Sequence, residues 1–202
     1  MVRPSLKAKS GFGALVETGM LNSMPILETD HLVLRPPAPE DFDAWAEFCA
    51  DEIACRFIGG ALDRATAWRN MCVMMGAWTA RGYSVFSVIE KESGRWIGRL
   101  GPWRPEGWPG TEVIYGLARE AWGKGYASEG VAAAIDWAFK TLGWTEVIHC
   151  IDPLNDRSQR VAARLGSRIL RKARLPAPLN VEVDVWGQTL DDWLARRGSD
   201  GR

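Results

Sequence analysis

This 202-residue chain has no long apolar run, no block of basic residues and no cluster of histidines or cysteines. Each absence removes a class of function. A membrane span needs roughly 18 or more consecutive apolar residues, and none is present. Lysine and arginine total 25 against 25 aspartates and glutamates, so net charge is zero and the footprint of a nucleic-acid binder is missing. The two histidines, His31 and His149, stand alone. The four cysteines, Cys49, Cys55, Cys72 and Cys150, match neither zinc spacing nor a disulfide framework. No metal is expected. The cysteines read as reduced, mostly buried thiols of a cytoplasmic protein.

The length suits one domain, placed at residues 25–198 between an extension at 1–24 and a tail at 199–202. The extension mixes glycine, serine, lysine and scattered apolar residues. It lacks the apolar core and cleavage site of a secretory signal, so it reads as a flexible segment, with Met20 or Met24 as alternative starts. Tryptophan is abundant, at eleven residues. Trp45, Trp68, Trp78 and Trp137 fall in helical patterns and are expected in the core, whereas Trp103 and Trp108 lie in a Gly/Pro-rich loop suited to substrate contact.

His31–Arg35 reads as a short strand, and Glu40–Ala50 and Asp63–Ala80 carry apolar residues at helical spacing. A hairpin follows: Tyr83–Ile89, a turn at Lys91–Gly94 and a return over Arg95–Leu100. Glu112–Ala118 is a further strand, so the first half is an antiparallel meander. A helix then leads to Gly143, and the buried-type strand Glu146–Ile151 must run parallel to Glu112–Ala118 because a helix crosses between them. Asn155 reads as the N-cap of a helix over Asp156–Leu165. Strands near Arg168–Lys172 and Val181–Gln188 and a last helix over Leu190–Arg197, with a capping box between Thr189 and Asp192, complete the chain. The fold class is α/β: a mixed sheet with an antiparallel first half and one parallel βαβ unit.

The most informative stretch is Trp122-Gly123-Lys124-Gly125-Tyr126-Ala127-Ser128-Glu129, between the strand Glu112–Ala118 and a helix. The start of a helix offers N–H groups with no intrahelical partner and the positive end of the macrodipole, and glycine lets backbone approach an anion closely. A phosphorylated ligand is therefore expected on the N–H groups of Gly123 to Ser128, with Lys124 as an added charge. A Walker loop is excluded because Gly125, not Ser or Thr, follows Gly123-Lys124. A dinucleotide fingerprint is a near miss: Ser128 stands where the last glycine belongs, although Asp152 follows the next strand.

The same stretch resembles motif A of the GNAT superfamily of acyl-CoA N-acyltransferases. Its leading Trp122 departs from the superfamily pattern and is similar to the branch of RimJ/RimL type, the ribosomal-protein N-terminal acetyltransferases. Leu27–Arg35, Gly94–Gly101 and Asn155-Asp156-Arg157-Ser158 with Arg164-Leu165-Gly166 resemble that branch too. The resemblance implies the GNAT fold, with the strands Glu112–Ala118 and Glu146–Ile151 splayed apart. It implies acetyl-CoA as co-substrate, its pantetheine arm against Tyr115, Gly116 and Leu117 and its phosphates on Trp122 to Ser128, with Tyr126, Ala127 and Asn155 in the same site.

An amine acceptor would attack the thioester directly in a ternary complex. Because an alkyl amine is mostly protonated at neutral pH, a base or water chain must remove its proton. Glu112 is the first candidate, with Glu182 and Asp184 as rivals. By the same resemblance, Ala162 stands where many family members offer a tyrosine to the leaving thiolate, and Ser158 is the substitute donor. Ser167 stands where the family has phenylalanine after Leu165-Gly166. Two other functions compete: a non-catalytic acyl-CoA-binding module, and an NAD(P)-dependent oxidoreductase. The acceptor is either a protein N-terminus or a small amine. The Trp-rich surface leaves a homodimer open, and no nucleic-acid or membrane partner is expected.

Overall fold

The computed structural model describes residues 24–199. The expected extension therefore lies outside the described residues except for Met24, and the tail except for Ser199. Eight strands form one sheet in the order β1-β2-β3-β4-β5-β6-β8-β7. Along the chain, β1 (Leu27–Glu28) and β2 (Leu32–Arg35) precede three helices, α1 (Phe42–Ala50), α2 (Glu52–Cys55) and α3 (Arg64–Arg81). The meander β3 (Phe86–Glu90), β4 (Trp96–Trp103) and β5 (Glu112–Leu117) leads to α4 (Tyr126–Leu142). Then come β6 (Glu146–Ile151), α5 (Asp156–Arg164), β7 (Arg168–Arg174), β8 (Glu182–Thr189) and α6 (Leu190–Ser199). Every neighbouring pair is antiparallel except β5 and β6, which run parallel as the intervening helix requires.

Local chemistry sets the boundaries. The Asp63 carboxylate accepts the Thr66 N–H at 2.9 Å to start α3, and Gly82 ends it in the left-handed conformation. Gly143 ends α4 the same way. Thr189 and Asp192 form the reciprocal capping box that opens α6: Asp192 Oδ2 accepts the Thr189 N–H and Thr189 Oγ1 accepts the Asp192 N–H, both at 3.1 Å. The helix expected from Glu40 begins instead with a 3₁₀ turn over Pro39–Asp41. There the buried Asp41 accepts two bonds from Arg35, at 2.8 and 2.6 Å, and one from Ser87 Oγ at 2.6 Å. That carboxylate ties the start of α1 to β2 and β3.

The alternation of β3 divides two cores. Phe86 and Val88 pack with α4 through Val131, Ala134, Ile135 and Phe139, while Val85 and Ile89 pack with α1 and α3 through Trp45, Cys49, Met71 and Met74. Burying each of the valine, isoleucine, phenylalanine and methionine side chains among these contributes about 1.5–3 kcal/mol. Gly130 lets α4 lie this close, because a Cβ there would stand 2.6 Å from Leu100 Cδ2. Trp45 and Trp78 are buried and Trp137 half-buried, as expected of core tryptophans. Trp68 corrects the expectation: it is 45% exposed and meets Phe42 edge-on at the surface, with ring centroids 4.9 Å apart. Cys49 and Cys55 are buried, Cys150 is half-buried and Cys72 is exposed, all as free thiols. Among the described residues no helix is long and apolar enough to cross a membrane.

Candidate active site

The site begins where the sheet comes apart. β5 and β6 share one parallel bridge, Glu112↔Ile148, with the Ile148 N–H bonded to Thr111 O at 2.9 Å. Beyond it the register stops, so on the side facing β6 the edge of Tyr115, Gly116 and Leu117 has no ladder partner among the described residues. That edge lines a cleft of about 930 Å³.

The glycine turn closes the cleft at one end. Gly123 (φ 79°) and Gly125 (φ 86°) both adopt positive φ, which non-glycine residues take only at a cost. A Cβ at either would meet nothing within 4 Å, so the backbone conformation and not crowding demands glycine. Gly125 is the N-cap of α4 and offers no side chain, so no capping group claims the first N–H donors of that helix. At the other side, Asn155 Oδ1 accepts the Ser158 N–H at 3.2 Å to start α5. The Tyr115 hydroxyl donates to the Ser158 carbonyl at 2.9 Å, which joins α5 to β5 across the split. The Ser158 hydroxyl itself has no partner among the described residues.

Every residue expected to touch the cofactor lines this cleft except Lys124. The Lys124 ammonium turns away to Glu90 Oε1, 3.0 Å distant, and the Tyr126 hydroxyl donates to the same oxygen at 2.8 Å. Bonds from Ser93, Lys124 and Tyr126 hold the Glu90 carboxyl down at about 2. Tyr126 thus anchors the glycine turn to β3, and the Lys124 charge is already paired.

Glu112 lies at the bridge, 3% exposed and outside the lining of the cleft. Its Oε1 accepts the Cys150 N–H at 2.6 Å, and its Oε2 accepts the indole N–H of Trp108. Burial pushes its carboxyl up to about 7, the range a general base needs at neutral pH. Of the rival carboxylates, Glu182 is exposed and paired with Arg174 at 3.0 Å, and Asp184 is half-buried on β8 opposite Ile151. Ala162 is fully buried, so no hydroxyl is presented from that place on α5. The two loop tryptophans part company: Trp108 serves Glu112, and Trp103, at the end of β4, packs on the α1–α3 core.

Sequence reading missed two walls of the cleft. One is α2 and the turn after it, including Ile53, Arg56 and Ile58. The other is basic: Arg157, Arg160 and Arg164 line it from α5, and the Arg157 guanidinium lies 4.1 Å from the centre of the Trp122 ring. Their spacing of three and four residues places them on one helical face, a signal the sequence does carry. It also missed that both histidines have partners. His31 contacts Glu129, and His149, 1% exposed, sits between the strands with Nδ1 2.7 Å from Val113 O.

Comparison with known proteins gives a consistent result. The sequence pattern of the family described as acetyltransferase (GNAT) domain matches residues 31–168. The N-acetyltransferase p20 of Bacillus licheniformis is 30% identical over 146 residues, covering 71% of this chain and 82% of that protein. YkkB of Bacillus subtilis is 34% identical over 100 residues, covering 47% of this chain and 58% of YkkB. The crystal structure of an acetyltransferase from Agrobacterium tumefaciens superimposes with a TM-score of 0.74 at 31% identity, covering 82% of this chain and 95% of that one.

Proposed function

This chain belongs to the GNAT acetyltransferase family, whose members transfer an acyl group from acetyl-CoA, and we propose that it acetylates a primary amine in a ternary complex. Membership sets aside the reading as an oxidoreductase, and the likeness to N-acetyltransferases supports an enzyme over a non-catalytic module. The observation that carries the proposal is the meeting, in one cleft, of the uncapped N–H groups of Gly125 and the first turn of α4 with the unpaired edge of Tyr115–Leu117.

In this reading the turn from Gly123 to Ser128 holds the diphosphate, with Trp122, Tyr126 and Ala127 shaping it. Arg157, Arg160 and Arg164 add the positive charge first expected of Lys124. Tyr115, Gly116 and Leu117 pair with the pantetheine amides, and an N–H of that edge holds the developing oxyanion, worth about 3–4 kcal/mol of barrier. Asn155 fixes the start of α5 so that Ser158 faces the sulfur.

Proton traffic then has two ends. The amine nitrogen attacks the thioester carbonyl carbon and its proton passes through a water to Glu112, which is buried outside the lining of the cleft. As the C–S bond breaks, the Ser158 hydroxyl donates a hydrogen bond to the departing thiolate. The Ser158 Oγ, without a partner among the described residues, and the raised Glu112 carboxyl support these assignments. The motif Trp122-Gly123-Lys124-Gly125-Tyr126-Ala127 with Glu129 supports a place in the RimJ/RimL-type branch, and hence a protein N-terminus as acceptor ahead of a small amine. Four free cysteines fit a reducing, cytoplasmic setting.

The test is calorimetric titration with CoA, followed by thiol release from acetyl-CoA with N-terminal peptides and small amines as acceptors. Micromolar binding and amine-dependent thiol release are expected. No heat at millimolar CoA would overturn the reading of the cleft, and release only with small amines would overturn the branch.

A further inference from the structure

The split between β5 and β6 has a specific cause in this chain. With Glu112↔Ile148 bridged and the Ile148 N–H on Thr111 O, the next rung of a parallel ladder lies two residues on along each strand. That rung is the Cys150 N–H donating to Val113 O. Both of its groups are in place, and neither is free. The Cys150 N–H donates to Glu112 Oε1 at 2.6 Å, and Val113 O accepts from His149 Nδ1 at 2.7 Å. Two side chains from either side of the last bridge have each taken one half of the missing rung.

The surroundings make this a built arrangement. A carbonyl oxygen only accepts, so His149 Nδ1 carries a proton. Burial lowers its pKa to about 4, so the ring is neutral and its buried Nε2, without a hydrogen-bond partner among the described residues, is bare. The ring also meets Tyr115 edge-on, with centroids 5.7 Å apart at 71°, and Tyr115 reaches on to Ser158 O. Glu112 is fixed from its far side by Trp108. An unpaired backbone group buried at the Cys150–Val113 level costs about 1–3 kcal/mol, so without substitutes the two strands would satisfy each other and close.

We infer that Glu112 and His149 form a wedge that occupies the next rung of the ladder and holds β5 and β6 apart, so that an extended thioester arm can enter. The inference rests on the acetyl-CoA reading for its purpose and not for its geometry. His149 is then a positioning residue, and Glu112 has a second role separate from any proton transfer.

The wedge predicts which substitutions close the gap. Glu112→Ala with His149→Phe removes both substitutes while keeping a ring of similar size. The Cys150 N–H should then bond Val113 O. In NMR spectra a scalar coupling across that hydrogen bond, between Cys150 nitrogen and Val113 carbonyl carbon, should appear where the unaltered protein shows none. CoA affinity by calorimetry should fall at least tenfold. His149→Asn with Glu112 kept leaves the acceptor for the Cys150 N–H and the Trp108 indole untouched and restores a donor towards Val113 O, and should leave both readouts as in the unaltered protein.

A folded Ala/Phe variant with no coupling and CoA affinity within twofold of the parent would overturn the wedge. So would a His149→Asn variant that loses as much affinity as the Ala/Phe one. If the Ala/Phe variant does not fold, His149→Phe and His149→Asn decide: a tenfold loss for phenylalanine alone supports the wedge, and equal affinities overturn it. Failure of the unaltered protein to bind CoA would refute the cofactor reading, while the coupling experiment would still judge the wedge.

Discussion

Glu129 holds His31 at two points: its Oε1 accepts the His31 backbone N–H at 2.8 Å, and its Oε2 lies 2.9 Å from His31 Nδ1. Thr29 Oγ1 donates to the same carboxylate at 2.5 Å. Glu129 stands on the first turn of α4, directly after the glycine turn, and Thr29 and His31 form the bend between β1 and β2. Two stretches 98 residues apart in sequence are thus one joint.

Glu129→Ala should loosen that joint. Hydrogen bonds to a charged group contribute about 1.5–3 kcal/mol, and the joint is partly exposed, so a loss of about 2 kcal/mol in urea unfolding is expected. Because α4 carries the phosphate-holding turn, KM for acetyl-CoA should rise more than kcat falls. An unchanged KM would separate the joint from the site.

Gly123→Ala and Gly125→Ala test the turn without steric confusion, since neither Cβ would touch anything. Each should cost about 1–2 kcal/mol for holding an L-residue at positive φ. CoA affinity should drop in both, most at Gly125, whose N–H precedes the helix. Wild-type affinity in the Gly125 variant would mean that the turn does not hold the ligand.

Glu112→Gln isolates the base. The carboxyl rises to about 7, so kcat/KM should climb with unit slope below that pH and level off above it. The variant should lose a factor of about 10²–10⁴ and its low-pH limb. A retained limb would assign the proton transfer elsewhere, with Asp184 next in line.

The same pair sets opposite slopes in stability against pH. Glu112 binds its proton more tightly folded than unfolded, so between about 4.5 and 7 its contribution weakens as pH rises. His149 binds its proton less tightly folded, so its contribution is present above 6.5 and is lost as pH falls towards about 4. In the unaltered protein the two nearly oppose each other. Denaturation of Glu112→Gln across pH 4–8 should expose the histidine slope, with stability falling towards acid. That of His149→Asn should show the reverse. Parallel curves for both variants would contradict the assignment.

Arg99 supplies a test of the second core. It is 8% exposed, its Nε has no hydrogen-bond partner among the described residues, and its guanidinium lies 5.5 Å from the centre of the Trp45 ring beside Cys49 and Cys55. Burial lowers its pKa, and burial also raises both thiols, Cys55 to about 12, so among the described residues no anion balances the charge. Arg99→Met should therefore stabilise the protein by on the order of 1 kcal/mol, read as a higher Tm.

Much of this was legible because it is periodic or punctuated. The apolar face of α4, its stop at Gly143 and the strand Glu146–Ile151 follow from spacing and glycine placement alone. The Asn155 cap and the Thr189–Asp192 box are local and appear as expected. Four-residue α2 carries too few residues to show a period, so the wall it builds was invisible. Trp68 follows the helical spacing of its neighbours yet faces outward, because tryptophan's size speaks for burial without saying which side of a helix is covered. The pairing of Lys124 with Glu90 joins residues 34 positions apart, and no local pattern encodes it. Nor does a sequence disclose that a side chain will intercept a ladder bond, since that depends on registry between strands.

Five strands on one side and three on the other meet through a single backbone bridge. A guest lying in that seam would lend its own amides to both margins and so behave as a temporary ninth strand. Occupancy should then stiffen the whole molecule, raising its resistance to heat and proteolysis well beyond the residues that the guest touches.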